Sequence, residues 1–389
     1  MKLLTGVQLR IFLVLLFCVV IQSGWAQQRK AALPYRVVAN KMIVDVEING
    51  VVCPLIFDTG GTMGIIDRVC DELELEGEGH IEITDVTGEN TIFPKMHVRE
   101  LRIPDGDMVF PDISVMRMTI SSPIERFGAV GLLGSDLWGH SIIHIDHQKQ
   151  VVTVTSAEEP VALDEKYRIP FTDDNGIWPI MTVGVGDRSI KMMFDSGAHG
   201  FMSLKETDYR DLYSWNMTQV LDRGFGSGPS GVGGRSIPRV ETKRIRLAPV
   251  KVGAAILNGV ITDELTAARN TLLGIQMLKY GKVTIDYSRR QFYFVPYHEE
   301  SDVEQELYNI AFAVKDNELV VNTVWGDLRK TVKLGDKVVK INGKDTKEFD
   351  LLGLLINGIP QVTGKRENEL IIMTKEGEKK VVYKRMKYD

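Results

Sequence analysis

One stretch of this chain is written twice. Residues 44–58 read VDVEINGVVCPLIFD, and residues 181–195 read MTVGVGDRSIKMMFD. In each copy, alternating apolar residues lead into a two-residue turn, Asn49-Gly50 or Gly186-Asp187, and a second apolar run climbs to Phe-Asp. Gly and Asn tolerate the positive φ that a tight hairpin needs. The turn opens nine residues before the Asp in both copies (58 − 49 and 195 − 186). The match resumes downstream, where Leu132-Leu133-Gly134 answers to Leu272-Leu273-Gly274 and Ile145-Asp146 answers to Ile285-Asp286. From Gly to Asp is 12 residues each time (146 − 134 and 286 − 274). Two copies of about 120–140 residues that share punctuation and little else imply a duplicated lobe. Short alternating strands between turn signals make each lobe mostly β.

The repeated position carries the chemistry. Asp58-Thr59-Gly60-Gly61 and Asp195-Ser196-Gly197-Ala198 are equivalent tetrapeptides. A lone Asp-Thr/Ser-Gly fits any turn with an Asx bond; two at one phase of a repeat, each after an apolar strand and Phe, demand a common cause. A pseudo-twofold axis between the lobes would bring the two loops face to face and set two carboxylates side by side. Like charges in contact do not both ionise cheaply, so such a pair shares one proton. One member then acts as a base toward bound water and the other as an acid toward a carbonyl oxygen. The hydroxyls of Thr59 and Ser196 are placed to bond backbone groups, and Gly60 and Gly197 permit close approach of the loops. Gly134 and Gly274 are expected behind their own loops, where a side chain would clash.

The paired Asp-Thr/Ser-Gly loops, each with a later Leu-Leu-Gly, resemble those of the pepsin and retropepsin clan of aspartic peptidases, and the short lobes are similar to retropepsin-sized units fused in one chain. The resemblance spans about residues 36–298. It implies two pseudo-twofold-related β-barrel lobes (36–156 and 160–298) forming a cleft for a polypeptide substrate, Asp58 and Asp195 as catalytic residues, Thr59 and Ser196 as interlocking hydroxyls beneath them, and no metal or other cofactor. The chain departs from the pepsin pattern in two places. Gly61 stands where Ser or Thr usually follows the Gly, whereas Ala198 is the common retropepsin choice there, and the expected first flap, Asp85 to Asn90, has no Tyr. A second reading of the same lobes is therefore a non-catalytic peptide-binding envelope protein, against which two retained buried carboxylates weigh. In the second lobe the Gly-rich Gly224 to Gly234 reads equally as a flap over the cleft or as a solvent-exposed loop.

Other clusters carry less. His140, His144, Asp146 and His147 crowd together, but on a strand His144 and Asp146 share a face while His147 points away, and the equivalent segment 280–286 has no His; no metal site is expected. His199 follows Asp195 by four residues, as a cleft border or an ordinary loop residue. Cys53 and Cys70, the two cysteines left after residue 26, read as buried thiols rather than a disulfide scaffold.

The ends of the chain frame the lobes. Lys2 and Arg10 precede an unbroken apolar run, Ile11 to Ile21, and small residues fall at the minus-three and minus-one positions of a cut after Ala26. Residues 1–26 therefore read as a cleaved signal peptide without a stable membrane anchor, and the product as periplasmic or extracellular. The formal charge of −5 becomes −7 on losing two basic residues, which excludes a global attraction for nucleic acid. Near the other end, Val332 to Gly343 (VKLGDKVVKING) resembles a PDZ domain, with a helix expected at Leu351 to Ile356 and final strands at Leu370 to Thr374 and Lys380 to Lys384. The resemblance implies a small module over 303–389 whose groove would take an extended peptide or a C-terminus by strand addition. A small β domain that only packs on the lobes is the alternative.

Overall fold

In the computed structural model, which describes residues 29–84, 88–118, 123–158, 160–172, 177–226, 240–265, 268–346, 349 and 351–388, the duplicated hairpins form where the alternation puts them. Strands Lys41–Ile48 and Val51–Asp58 pair antiparallel down to Ile48 opposite Val51, and the turn holds Asn49 and Gly50 at φ of 50° and 87°. Strands Ile180–Val185 and Arg188–Asp195 repeat the arrangement down to Val185 opposite Arg188. Inward residues of these strands, among them Val44, Val46, Leu55, Phe57, Val183, Met192 and Phe194, are fully buried. Each large apolar side chain so removed from water contributes on the order of 1.5–3 kcal/mol.

Each strand that ends in Asp gains a parallel neighbour, the Leu-Leu-Gly segment of its own lobe. Phe57 lies beside Leu133 and Asp58 beside Gly134; Phe194 lies beside Leu273 and Asp195 beside Gly274. The chain leaving each Asp then runs antiparallel along the far side of that segment, through Gly64–Ile66 and Met202–Lys205. The Leu-Leu-Gly strand is thus clasped between the arms that enter and leave the Asp loop.

The lobes join through a six-stranded antiparallel platform of Arg168–Pro170, Gln291–Pro296, Gly281–Asp286, Ser141–Asp146, Val151–Ser156 and Lys30–Val38, in that spatial order. At its centre the equivalent strands Ser141–Asp146 and Gly281–Asp286 pair with each other, with His144 opposite Thr284. These two residues are equivalents in the repeat (284 − 144 = 140, as 286 − 146 = 140), so the pseudo-twofold axis passes between them. The histidine cluster has a structural explanation here. His144 Nδ1 hydrogen-bonds Thr284 Oγ1 at 2.5 Å on the axis, His147 bonds the Tyr35 hydroxyl at 2.8 Å, and Asp146 pairs with Lys282 at 2.8 Å. Among the described residues no group of three or more His, Cys, Asp or Glu is placed to hold a metal. Asp146 and Asp286 recur because each accepts the amide three residues on, from Lys149 and Arg289, closing the platform turns.

Residues beyond 303 build a second, smaller core around Ile310, Leu319, Val321, Val338, Ile341, Leu370 and Ile372. Its strands are Ile310–Lys315, Glu318–Trp325, Lys337–Ile341, Glu367–Thr374 and Gly377–Lys384, with a helix at Leu351–Asn357. Thr323, Val324 and Trp325 continue the sheet of the second lobe by pairing with Gly226, Phe225 and Gly224 on strand Thr218–Gly226. A Cβ on Gly224 would stand 2.6 Å from the Trp325 ring, and one on Gly226 would stand 2.5 Å from the Thr323 hydroxyl. The first glycines of the Gly-rich segment are therefore docking positions in a strand, neither flap nor open loop; the rest of that segment, Ser227 to Gly234, lies outside the described residues. Arg244, 4% exposed, locks the seam against Asp263 (3.2 Å), the Tyr388 hydroxyl (3.0 Å) and the Trp325 ring (4.0 Å to its centroid). The helix Leu351–Asn357 packs against Pro123–Phe127 of the first lobe, so the C-terminal segment touches both lobes.

Among the described residues no helix is long and apolar enough to cross a membrane; the expected signal peptide, 1–26, lies outside them, as do Asp85, Val86 and Thr87 of the expected first flap. Cys53 and Cys70 are free and buried, and burial pushes both thiols up to about 11.

Candidate active site

Asp58 and Asp195 end equivalent strands, and the axis turns their loops toward each other at the floor of an open interlobe cleft of about 1270 Å³. The two carboxyl groups are close enough to share a hydrogen bond. The loops cross so tightly that neither glycine has room for a side chain. A Cβ on Gly60 would fall 2.5 Å from Asp195 Cγ, and one on Gly197 would fall 2.5 Å from Asp58 Cγ. Each lobe's glycine is the bed on which the other lobe's carboxylate lies.

Beneath the carboxylates the hydroxyls exchange bonds across the axis. Ser196 Oγ accepts from the Thr59 amide (3.0 Å) and donates to the Phe57 carbonyl (2.8 Å). Thr59 Oγ1 accepts from the Ser196 amide (2.9 Å) and donates to the Phe194 carbonyl (2.9 Å). Thr59 and Ser196 are both fully buried, and the exchange supplies each of these buried polar groups with a partner from the other lobe. Behind the loops, Gly134 presses on the Thr62–Met63 backbone and Gly274 on the Gly200 carbonyl, with no space for a Cβ. All eight residues singled out by the repeat are thus brought together.

The carboxylates differ in surroundings. Asp195 Oδ1 accepts two amides, from Gly197 (2.8 Å) and Ala198 (3.0 Å), and the residue is 7% exposed. Asp58 Oδ1 accepts one amide, from Gly60 (3.0 Å), and the residue is half-buried. The Gly61 amide turns instead to the Asp58 carbonyl (3.3 Å), and a Cβ at 61 would lie 2.8 Å from Asp58 Oδ2. The loop as folded leaves no place for a side chain at 61 unless the Asp58 carboxylate moves. Burial first, then the charge of Asp58 and the hydrogen bond to it, push Asp195 up to about 8, against opposing pulls from Lys41 and the Gly197 amide.

Lys41 is a site residue that the motifs do not single out. It opens the strand Lys41–Ile48 of the first lobe, yet its ammonium reaches over the seam to donate to the Gly197 carbonyl of the second. The repeat places Trp178 at the equivalent position (58 − 41 = 17 and 195 − 178 = 17), and both line the cleft. A charged residue answering to an aromatic one at the same phase is the signal the sequence holds. His199 also lines the cleft, where desolvation between the walls and then the charge of Lys41 lower its proton affinity. Ser135, next after Gly134, donates to the Thr59 carbonyl (2.7 Å) and bonds the Tyr287 hydroxyl (2.8 Å), tying the first loop to the platform.

Two carboxyl groups close enough to share a proton, at the base of an open cleft, can add water to a carbonyl held above them. No protein-family model matches this chain, and no curated protein sequence matches it. Among solved structures the chain is similar to an aspartic proteinase from Irpex lacteus, at 10% sequence identity and a TM-score of 0.41, over 69% of this chain and 97% of that one.

Proposed function

We propose that this chain is an exported aspartic endopeptidase, hydrolysing internal bonds of extended polypeptides in the interlobe cleft. The observation that carries the reading is the crossed Asp58 and Asp195 loops, which set two carboxyl groups against each other beneath an open groove. With the shared proton on Asp195, Asp58 takes a proton from a water as its oxygen attacks the scissile carbonyl carbon, and Asp195 gives its proton to the carbonyl oxygen. The tetrahedral diol then collapses: the amide nitrogen takes the proton held by Asp58, the C–N bond breaks and the amine leaves, and Asp195 recovers its proton from one diol hydroxyl as that oxygen becomes the carbonyl of the new acid. The fixed Gly197 and Ala198 amides hold one partner of the pair in place, so little reorganises during the cycle. The apolar run and small-residue cut site in residues 1–26 support export to the periplasm or beyond. The C-terminal segment, in this reading, is a PDZ-like module that recruits peptide beside a cleft it borders.

The test is hydrolysis of an unfolded polypeptide by the protein lacking residues 1–26, from acidic to neutral pH, beside Asp58→Asn and Asp195→Asn. Cleavage is expected to fall by about 10³-fold or more in each variant, the scale of losing a positioned acid or base. Turnover that survives either substitution would remove the dyad mechanism. Binding of peptide without cleavage at any pH would favour a receptor built on the same lobes.

A further inference from the structure

The charges that line the cleft do not balance. Lys41, Arg126, Arg269 and Lys279 all face it, and among the described residues none of the four has a carboxylate within ion-pair distance. Of the acids in the same wall outside the dyad, Asp263 is committed to Arg244 (3.2 Å) and Glu306 to Arg385 (2.9 Å). Glu304 alone is uncommitted. Counting one negative charge for the proton-sharing pair, the uncommitted cleft charges sum to +2 (4 − 1 − 1) in a chain whose formal charge is −5. A concave wall of one sign focuses its field on whatever enters.

Two of these cations are held rather than loose, and the repeat puts them on opposite sides of the dyad. Arg269 stacks on Trp178, its guanidinium 5.2 Å from the ring centroid, and the Lys41 ammonium lies 5.9 Å from the Phe127 centroid. Lys41 and Trp178 are pseudo-twofold equivalents, so each half of the groove presents one cation against one aromatic ring, with the roles of the two residues exchanged. Stacking fixes a guanidinium's plane while leaving its N–H edge open for a carboxylate. From this arrangement we infer that the cleft selects polypeptide segments bearing Asp or Glu on both sides of the scissile bond. The inference rests on the peptidase reading of the same groove and adds to it the substrate class. Acidic side chains would approach a positive groove in an otherwise acidic molecule, which discriminates against basic segments as much as it attracts acidic ones.

Three matched fluorogenic peptides, alike except for Glu, Gln or Lys at the positions flanking the central bond, test this on the protein lacking residues 1–26. At a pH where the peptide's carboxylates are ionised, the Glu peptide is expected to be cleaved about tenfold faster than the Gln peptide, with the Lys peptide slowest. The advantage should shrink to within about twofold in roughly 0.5 M salt, where the Debye length falls to about 4 Å, and in the Arg126→Gln/Arg269→Gln double variant. Equal rates for all three peptides, or a preference for Lys, overturn the charge selectivity while leaving the peptidase reading intact. If no peptide is cleaved, the peptidase reading fails instead. Fluorescence anisotropy of the same labelled peptides on Asp195→Asn protein then decides the selectivity alone: tighter binding of the Glu peptide sustains it, and equal binding ends it.

Discussion

Asp58 and Asp195 leave equivalent strands and precede equivalent Thr/Ser-Gly pairs, yet Asp58 is half-buried and accepts one amide, while Asp195 is 7% exposed and accepts two. Counting donors alone, Asp195 would be the readier to ionise, since amides stabilise the charged form. The opposite holds. Burial outweighs the donors, the neighbouring carboxylate adds to it, and the proton affinity of Asp195 rises. Two copies of one motif thus acquire different surroundings because they are desolvated unequally. The divergent residues, Gly61 against Ala198 and Lys41 against Trp178, sit where that inequality is set.

The largest expected effect tests the inequality through stability. Between the ordinary carboxylate value near 4 and the raised value of Asp195, the folded protein keeps a proton that the unfolded chain releases. Stability therefore falls as pH rises through that window, by up to about 1.4 kcal/mol per pH unit, and is unaffected below it. Asp195→Asn removes the penalty. Its thermal midpoint should match that of the parent at pH values below about 4 and exceed it increasingly toward neutral and mildly alkaline pH. Asp58→Asn should gain less, because it relieves the charge on Asp195 but leaves the burial. Melting curves across pH that run parallel for the parent and Asp195→Asn would refute the assignment of the proton.

The hydroxyl exchange beneath the carboxylates is the symmetric part of the pair and calls for the opposite outcome. Thr59→Val leaves the Ser196 amide and Phe194 carbonyl without partners; Ser196→Ala does the same to the Thr59 amide and Phe57 carbonyl. Each is expected to cost about 2–4 kcal/mol, the scale of two buried groups left unsatisfied. Because both substitutions break one network, the double variant should cost clearly less than the sum. Denaturant unfolding of the two singles and the double measures this. Additive costs would mean that the two sides of the exchange act independently.

These features are legible in the sequence to unequal degrees, for physical reasons. Alternation of period two, turn residues of fixed chemistry and the phase of the repeat are local, so the hairpins, the Leu-Leu-Gly strands and the loops of Asp58 and Asp195 can be placed from sequence. Gly224 and Gly226 mislead because a glycine in a loop and a glycine beneath another chain segment's side chain look alike until the partner is known, and Trp325 comes 101 residues later (325 − 224). The part that His144 plays becomes visible only once its strand is paired with its own repeat equivalent, which sets it on the axis against Thr284. Lys41 lies in a strand start with no local mark of function; only closure of the lobes carries its ammonium to Gly197.

Lys41 also supplies the finest test of the unequal pair. Its charge opposes the raised proton affinity of Asp195, so Lys41→Met should raise that affinity further, and the alkaline limb of kcat/KM, which reports loss of the shared proton, should move up by about half to one pH unit. Lys41→Arg keeps the charge and should leave the limb near its parental position, whereas a merely structural role for the ammonium would reduce activity without moving the limb. The other titratable group nearby does not mask the shift. His199 is held below its ordinary value by enclosure and by Lys41 itself; freed from Lys41 it regains proton affinity, but it titrates below the pH range in which Asp195 gives up its proton and is neutral there. Asp58 faces Asp195 in parent and variant alike. A pH profile of Lys41→Met that overlays the parent's would mean that Lys41 serves the loop through its bond to the Gly197 carbonyl alone, and that the inequality between the two carboxylates is set by burial without help from the cation.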